Sequence, residues 1–207
     1  MGLSAANKSP LMTPFLSGFP IDAIPHVEMS VVDRAPLVAK MQIWLGMLNW
    51  LQQCTRPDIS TVFFLLASHM HCPSPGHIEA ARYVGRYLLS TLDLGLVFST
   101  QAQASLESYI YFPLPITSSS SDVPSIATFC DANWGPQDAS HPSPTNQLLV
   151  SIKELKSICG HLFFYGGCPI LWKTHKEHCI SQSSCEAEIK TTDECVKNAQ
   201  IYFQNYL

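Results

Sequence analysis

Ile126-Ala127-Thr128-Phe129-Cys130-Asp131 is a short apolar run ending in a carboxylate. Further along, Ser183-Ser184-Cys185-Glu186-Ala187-Glu188 opens a stretch with no glycine or proline up to Leu207. The first reads as a β-strand and the second as the start of a long helix. Between them, Ile158 to Tyr165 and Ile170-Leu171-Trp172 are strand-like and are split by Gly166-Gly167, a turn pair. A further strand is expected over Cys179 to Ser181, and residues 136–147, rich in Pro, Ser, Asn and Gln, read as a loop. Strands followed by a packed helix, with a helical half before them, make a mixed α/β (α+β) chain.

Upstream, the apolar period lengthens from two to about 3.6. Met41, Trp44, Leu45, Leu48 and Leu51 recur at steps of three and four, which predicts an amphipathic helix from Leu37 to near Gln53. Thr55-Arg56-Pro57-Asp58 reads as the next helix start, with Thr55 as cap and Asp58 closing a capping box. That helix, Ile59 to about Met70, is nearly all apolar through Val62, Phe63, Phe64, Leu65 and Leu66, so it should lie centrally. Ser74-Pro75 opens a third helix running to Leu89, with Ala81, Val84 and Leu88 as its buried stripe. Gly95-Leu96-Val97-Phe98 and Tyr109-Ile110-Tyr111-Phe112 are expected as strands. Residues 1–36 carry Pro10, Pro14, Pro20, Pro25 and Pro36 and read as an extended lead-in that needs a surface to lie against. Residues 113–125, with Ser118 to Ser121, read as a linker between a helical segment (37–112) and the strand-and-helix unit (126–207).

The chain has 207 residues, 46% apolar and only 14% charged, with a net charge of −4 and a sequence pI near 6.0. Nucleic-acid affinity comes mostly from neutralising phosphates, and no basic excess is present to supply it. Strong autonomous binding to DNA or RNA is therefore not expected, although a local basic strip could still form. No apolar run approaches the roughly 20 residues of a membrane span, and the first residues lack the pattern of a secretory signal. An intracellular, non-secreted protein is expected. Its eight cysteines are then read as reduced thiols.

Ser183 and Glu186 have the spacing of a capping box, which gives Glu186 a structural task. On a helical wheel, Glu188 lines up with Thr192, Cys195, Ala199 and Tyr202, the face expected to pack on the sheet. A carboxylate on such a face needs a cation or a hydrogen-bond donor. Asp131 at the strand end is its natural partner, and two carboxylates so placed suit a magnesium ion, which accepts one or two of them beside waters and phosphate oxygens. The bland alternative is a solvated strand-end aspartate and a helix-edge glutamate.

The ordered motifs resemble the C-terminal part of copia-type retrotransposon polyproteins. Leu45-Gly46-Met47-Leu48-Asn49-Trp50-Leu51, then Thr55-Arg56-Pro57-Asp58-Ile59, is similar to the segment just after the polymerase core. His77-Ile78-Glu79-Ala80-Ala81-Arg82-Tyr83-Val84-Gly85-Arg86-Tyr87-Leu88, then Gly95-Leu96-Val97-Phe98, resembles the helix and strand that follow. Asp131-Ala132-Asn133-Trp134-Gly135, Gly160-His161-Leu162-Phe163-Phe164 and Ser183-Ser184-Cys185-Glu186-Ala187-Glu188 resemble the opening of the family's ribonuclease H domain. The resemblance runs from about Thr13 to the C-terminus.

It implies a helical reverse-transcriptase connection segment followed by a truncated ribonuclease H-like sheet-and-helix unit. It also implies magnesium-dependent cleavage of RNA in RNA–DNA hybrids, with Asp131 and Glu188 as catalytic, metal-holding carboxylates. The family's polymerase aspartates would lie upstream of this sequence, and its later ribonuclease carboxylates beyond Leu207. Two carboxylates of four hold too little charge for two divalent ions, so this chain is expected to be inactive by itself. Expected partners are an RNA–DNA hybrid or primer–template duplex, and the rest of the polyprotein or another protein covering the exposed sheet. No membrane partner is expected.

Smaller signals are assigned as follows. His77, Arg82 and Arg86 could contact a duplex backbone, since phosphate contacts need only charge and reach; a plain solvated helix face is the alternative. His175, His178 and Cys179 with Cys168 lack a paired Cys-x-x-Cys and are read as turn residues rather than a zinc site. Trp44, Trp50, Trp134 and Trp172 are assigned to core or interface. The rival functional class is a non-catalytic retroelement remnant or adopted binding module.

Overall fold

The computed structural model describes residues 11–15, 21, 24, 27–99, 126–133 and 156–206. The expected strand at Tyr109–Phe112, the 113–125 linker, the 136–147 loop and Trp134 lie outside them. The chain divides into two compact units, Met1–Gly95 and Leu96–Leu207. Among the described residues there are four α-helices and one three-stranded antiparallel sheet, a mixed α/β class as expected.

In the first unit, α1 (Val31–Cys54), a 3₁₀ turn (Pro57–Ile59), α2 (Ser60–Ser68) and α3 (Pro75–Ser90) pack on one another. The expected stripe of α1 is buried at Met41, Trp44, Leu45 and Leu48. From α2 and α3 come Val62, Leu65, Leu66, Ile78, Ala81, Val84 and Tyr87. The helix starts six residues earlier than the proline-rich reading placed it, because the Ser30 hydroxyl accepts from the Asp33 amide at 3.1 Å and caps it. Pro36 sits inside the helix and removes one backbone donor. The carbonyl it leaves without an intrahelical partner belongs to Val32, which is solvent-exposed, so water can take the place of the missing bond. The lead-in does find a surface: Ile21 and Ile24 are buried, and Ile24 lies against Gly76 so closely that a Cβ there would come within 2.6 Å.

Thr55 closes α1, its amide donating to the Leu51 carbonyl, and does not cap the next helix as the motif suggested. Asp58 makes no capping box either, because a buried arginine claims it. Arg56 Nε and Nη2 donate to the two Asp58 oxygens at 3.0 and 2.8 Å, a two-point ion pair. Arg56 also donates to the Thr91 carbonyl and hydroxyl at the end of α3, at 3.0 and 2.8 Å. Tyr87 Oη donates to Asp58 at 2.7 Å, and its ring lies under the guanidinium at 5.4 Å. Burial pushes the Asp58 carboxyl upward, but the hydrogen bonds from Arg56 and Tyr87 and the Arg56 charge outweigh it and hold the group below the ordinary carboxylate range. The network clamps the start of α2 to the end of α3.

The second unit holds β1 (Ile126–Asn133), β2 (Ile158–Tyr165) and β3 (Cys168–Lys176) in the order β1-β2-β3, followed by α4 (Ser184–Tyr206). The glycine pair makes the tight β2–β3 turn, with φ of 54° at Gly166 and 79° at Gly167, the left-handed values a two-residue hairpin requires. A register irregularity opposite Phe163 and Phe164 accommodates Pro169, which cannot donate to a ladder. Two strand expectations are corrected. Leu96-Val97-Phe98 joins no ladder among the described residues; Val97 and Phe98 are exposed, and a short β-prone run becomes a strand only beside a partner. Cys179–Ser181 is a bend: the ladder ends where the Glu177 amide donates to the Ser157 carbonyl, and the Ser181 hydroxyl then turns back onto Glu177 at 2.7 Å.

Removing one partner from the Arg56 network should cost far more than trimming its edge. Asp58→Ala, which strands a buried guanidinium, is expected to destabilise the first unit by about 3 kcal/mol or more, and Tyr87→Phe by about 1 kcal/mol. Urea denaturation of the two variants beside the parent chain measures the difference; equal losses would contradict the network's reading.

Candidate functional site at the strand–helix junction

The face of the sheet that meets α4 follows from register. Cys130 pairs with His161, Cys159 with His175, and His161 with Lys173. Directly opposed residues share a face. Thr191 Oγ1 donates to Cys159 Sγ at 2.9 Å and Thr192 Oγ1 lies 3.5 Å from Cys130 Sγ, so this is the face under the helix. Small residues permit the close approach: Ala187, Thr191 and Cys195 are 0%, 1% and 1% exposed and fall one turn apart.

The wheel placed Glu188 on that face, and the structure corrects it. The buried line is Ala187–Thr191–Cys195: it keeps Cys195 of the expected face but takes Ala187 and Thr191 in place of Glu188 and Thr192, and Glu188 is exposed on the flank. A small-residue line wins because it buries no charge. Glu186 caps as expected: the Ser183 hydroxyl accepts from its amide at 3.2 Å, while its own carboxylate accepts from the Gln182 amide at 2.7 Å. An ion pair with Lys190 across one helical turn holds Glu186 below the usual carboxylate range.

Asp131 is also exposed. Cys130 points at α4, and side chains alternate along a strand, so Asp131 leaves β1 on the opposite side. The structure therefore brings the supporting elements of Asp131 and Glu188 together, through the Cys130–Thr192 contact one residue and one turn away. It does not turn both carboxylates inward. Among the described residues, no three His, Cys, Asp or Glu side chains are grouped to hold a metal ion, the His175/His178/Cys179/Cys168 set included. The residues present do not by themselves fit a divalent-ion site.

The three residues expected at a nucleic-acid backbone separate. His77 is fully buried, and this corrects its assignment. Its Nδ1 accepts from the Ser74 amide at 3.0 Å as part of the α3 cap, and its ring stacks on His69 at 4.3 Å. Arg82 and Arg86 are half-exposed; Arg82 pairs with Glu79, and Arg86 lies over the Tyr83 ring at 5.4 Å. Of the tryptophans, Trp44 is core and Trp50 is 65% exposed.

Sequence reasoning missed a polar cluster between β2, β3 and α4. Glu194 accepts from His175 Nε2 at 2.8 Å and from Lys173 Nζ at 3.2 Å. Burial pushes Glu194 upward, but its hydrogen bond and charge interaction with His175, and then those with Lys173, prevail and hold it below its usual range. His161 is 5% exposed, its ring 5.7 Å from that of His175, and its Nδ1 is buried with no hydrogen-bond partner among the described residues. Burial first, then His175 and Lys173, pull its pKa down to about 4. Alternation along Ile158–Tyr165, which puts His161 between buried Cys159 and Phe163, was the available signal.

No family model matches the chain, and no solved structure matches it. Curated relatives do. The retrovirus-related Pol polyprotein from transposon RE2 of Arabidopsis thaliana is 26% identical over 172 residues, 83% of this chain and 9% of that protein. A putative transposon Ty5-1 protein of Saccharomyces cerevisiae is 28% identical over 160 residues, 77% of this chain and 41% of that one. The chain is a retroelement-derived region. Secreted RxLR effector protein 161 of Plasmopara viticola is also similar, 25% identical over 155 residues, 75% of this chain and 85% of that protein. The region thus spans less than half the length of the transposon proteins it matches and most of the effector. No described helix is long and apolar enough to cross a membrane.

Neutral His161 under the helix sets a pH dependence. Between pH 6.5 and about 4 the unfolded chain binds a proton at this residue that the folded chain refuses, so stability falls as pH drops through that window. Relative to His161→Gln, the parent chain should lose about 2 kcal/mol between pH 7 and pH 4.5. Urea titrations at the two pH values check it; parallel losses in both proteins would contradict a buried neutral imidazole.

Proposed function

We propose that this chain corresponds to the connection region and opening ribonuclease H-like segment of a copia-type retroelement polyprotein, and that it does not cleave by itself. Asp131 and Glu188 are then two of the carboxylates of an ancestral nuclease acting on RNA in RNA–DNA hybrids. Magnesium would be the cofactor of that ancestral nuclease. The observation that carries the reading is the alignment of 83% of the chain with a transposon polyprotein. The meander of three antiparallel strands followed by a helix over one face supports it, since the motif resemblance implies that order.

The directions of the two carboxylates support the absence of cleavage. A two-metal nuclease needs several carboxylates converging on the ions, whereas here one points away from the helix and the other lies on its outer flank. The opposite face of the sheet exposes Phe129, edge-on to Phe164 at 5.6 Å. The remainder of a polyprotein, or another protein, would cover it. In a duplex-bound state Arg82 and Arg86 are the candidate phosphate contacts, while His77 has no such role.

The test is a magnesium-dependent assay on a labelled RNA–DNA hybrid, with circular dichroism confirming that each protein is folded. The parent chain is expected to cleave no faster than the double variant Asp131→Asn/Glu188→Gln. Cleavage above that baseline, lost in either single variant, would show a working site and overturn the proposal.

A further inference from the structure

Helix α1 carries a second apolar stripe on the side away from its core. The buried line runs through Met41, Trp44, Leu45 and Leu48. On the other side Val32, Pro36, Ala39, Ile43, Gly46 and Trp50 recur at alternating steps of four and three, the spacing of a coiled-coil seam. Val32, Ile43 and Trp50 are 81%, 52% and 65% exposed, and Pro36, Ala39 and Gly46 are exposed with them. A surface helix ordinarily turns polar residues outward. Here no polar residue interrupts the seam over about 27 Å of helix, and the charged residues of α1 are Asp33, Arg34 and Lys40 beside it. Gly46 leaves an open hollow in the stripe, since a Cβ built there meets nothing within 4 Å.

We propose that a second copy of this chain covers the seam, the two α1 helices packing antiparallel about a two-fold axis level with residue 41. Size sets this register. About that axis Trp50 meets Val32 of the second copy, Pro36 meets Gly46, and Ile43 meets Ala39, so every layer joins a larger side chain to a smaller one. Parallel pairing would set Trp50 on Trp50 and Gly46 on Gly46, crowding one layer and leaving a void in another. A two-fold axis uses one self-complementary patch twice, and the antiparallel arrangement also opposes the helix dipoles.

Charge fits the same occupant. Asp33 and Arg34 of one copy come beside Leu48 to Gln53 of the other, a stretch with no charged residue. The two Lys40 side chains flank the axis, a like-charged pair whose repulsion salt screens. One helix face about 27 Å long and about 10 Å wide is smaller than a standard interface of roughly 800 Å² per partner, so association is weak, with a Kd on the order of 10–100 μM. The pairing is independent of any nuclease role, because it uses the first unit alone.

Sedimentation velocity of the full chain from about 1 to about 500 μM is expected to show a reversible monomer–dimer equilibrium. Ile43→Glu lies outside the core and is expected to weaken it about tenfold or more. Gly46→Leu fills the hollow that receives Pro36, so it also weakens the dimer, whereas a merely adhesive surface associates more tightly with the added leucine. Circular dichroism confirms that each variant is folded. Orientation is read by mild oxidation and peptide mapping: Lys40→Cys is expected to cross-link at the axis, while Cys54, about 39 Å from its counterpart, does not. A chain monomeric throughout, which leaves the seam to the rest of a polyprotein or to another partner, overturns the proposal. So does a dimer that Ile43→Glu leaves intact, one that Gly46→Leu tightens, or one linked through its two Cys54 residues.

Discussion

A helix can lie close on a sheet only where the side chains between them are small or matched. On α4 that condition is met by Ala187, Thr191 and Cys195, one turn apart and almost fully buried. Everything else in the second unit follows from this line. It fixes which face of the sheet is covered, puts Glu194 over His175 and Lys173, sets Thr192 against Cys130, and leaves Glu188 on the flank. Rotating the helix by one residue would bury Glu188 and lift Thr191 from Cys159, exchanging a satisfied hydroxyl for an uncompensated charge.

In the first unit the corresponding constraint is electrostatic. Arg56 is drawn inside by four hydrogen bonds, and its two-point pair with Asp58 makes that burial tolerable. A buried ion pair of this kind adds little net stability over an apolar substitute, but it fixes geometry, here the approach of α2 to the end of α3. The same residues form part of the Thr55-Arg56-Pro57-Asp58-Ile59 motif that carries the resemblance to retroelement polyproteins, which gives that motif a folding role within this chain.

Strong periodicity was legible and weak local signals were not. The α1 stripe from Met41 to Leu48, the Gly166-Gly167 hairpin and the strand Ile158–Tyr165 all follow from spacing alone, because each is decided by which residues must leave water. The misplaced α1 start came from weighting Pro36 above Ser30, although a cap with exposed first-turn carbonyls tolerates a proline. Gly95–Phe98 and Cys179–Ser181 have strand-like composition without a ladder partner, and pairing is not a local property. At the candidate site the sequence identified the right elements, β1 and α4, but not the side-chain directions. A wheel resolves helix orientation only to about one residue, and the choice between Ala187 and Glu188 as the inward position was made by the sheet. His161 and the Arg56 network were overlooked because polar residues were assigned to solvent by default.

The central claim is the rotational setting of α4 on the sheet. Nuclear Overhauser measurements on isotopically labelled protein read it directly. The account predicts cross-peaks from the Thr191 methyl to Cys159 and from the Thr192 methyl to Cys130, with no sheet contacts from the Glu188 side chain. Cross-peaks from Glu188 to Cys159 or Phe163, with Thr191 silent, would contradict it.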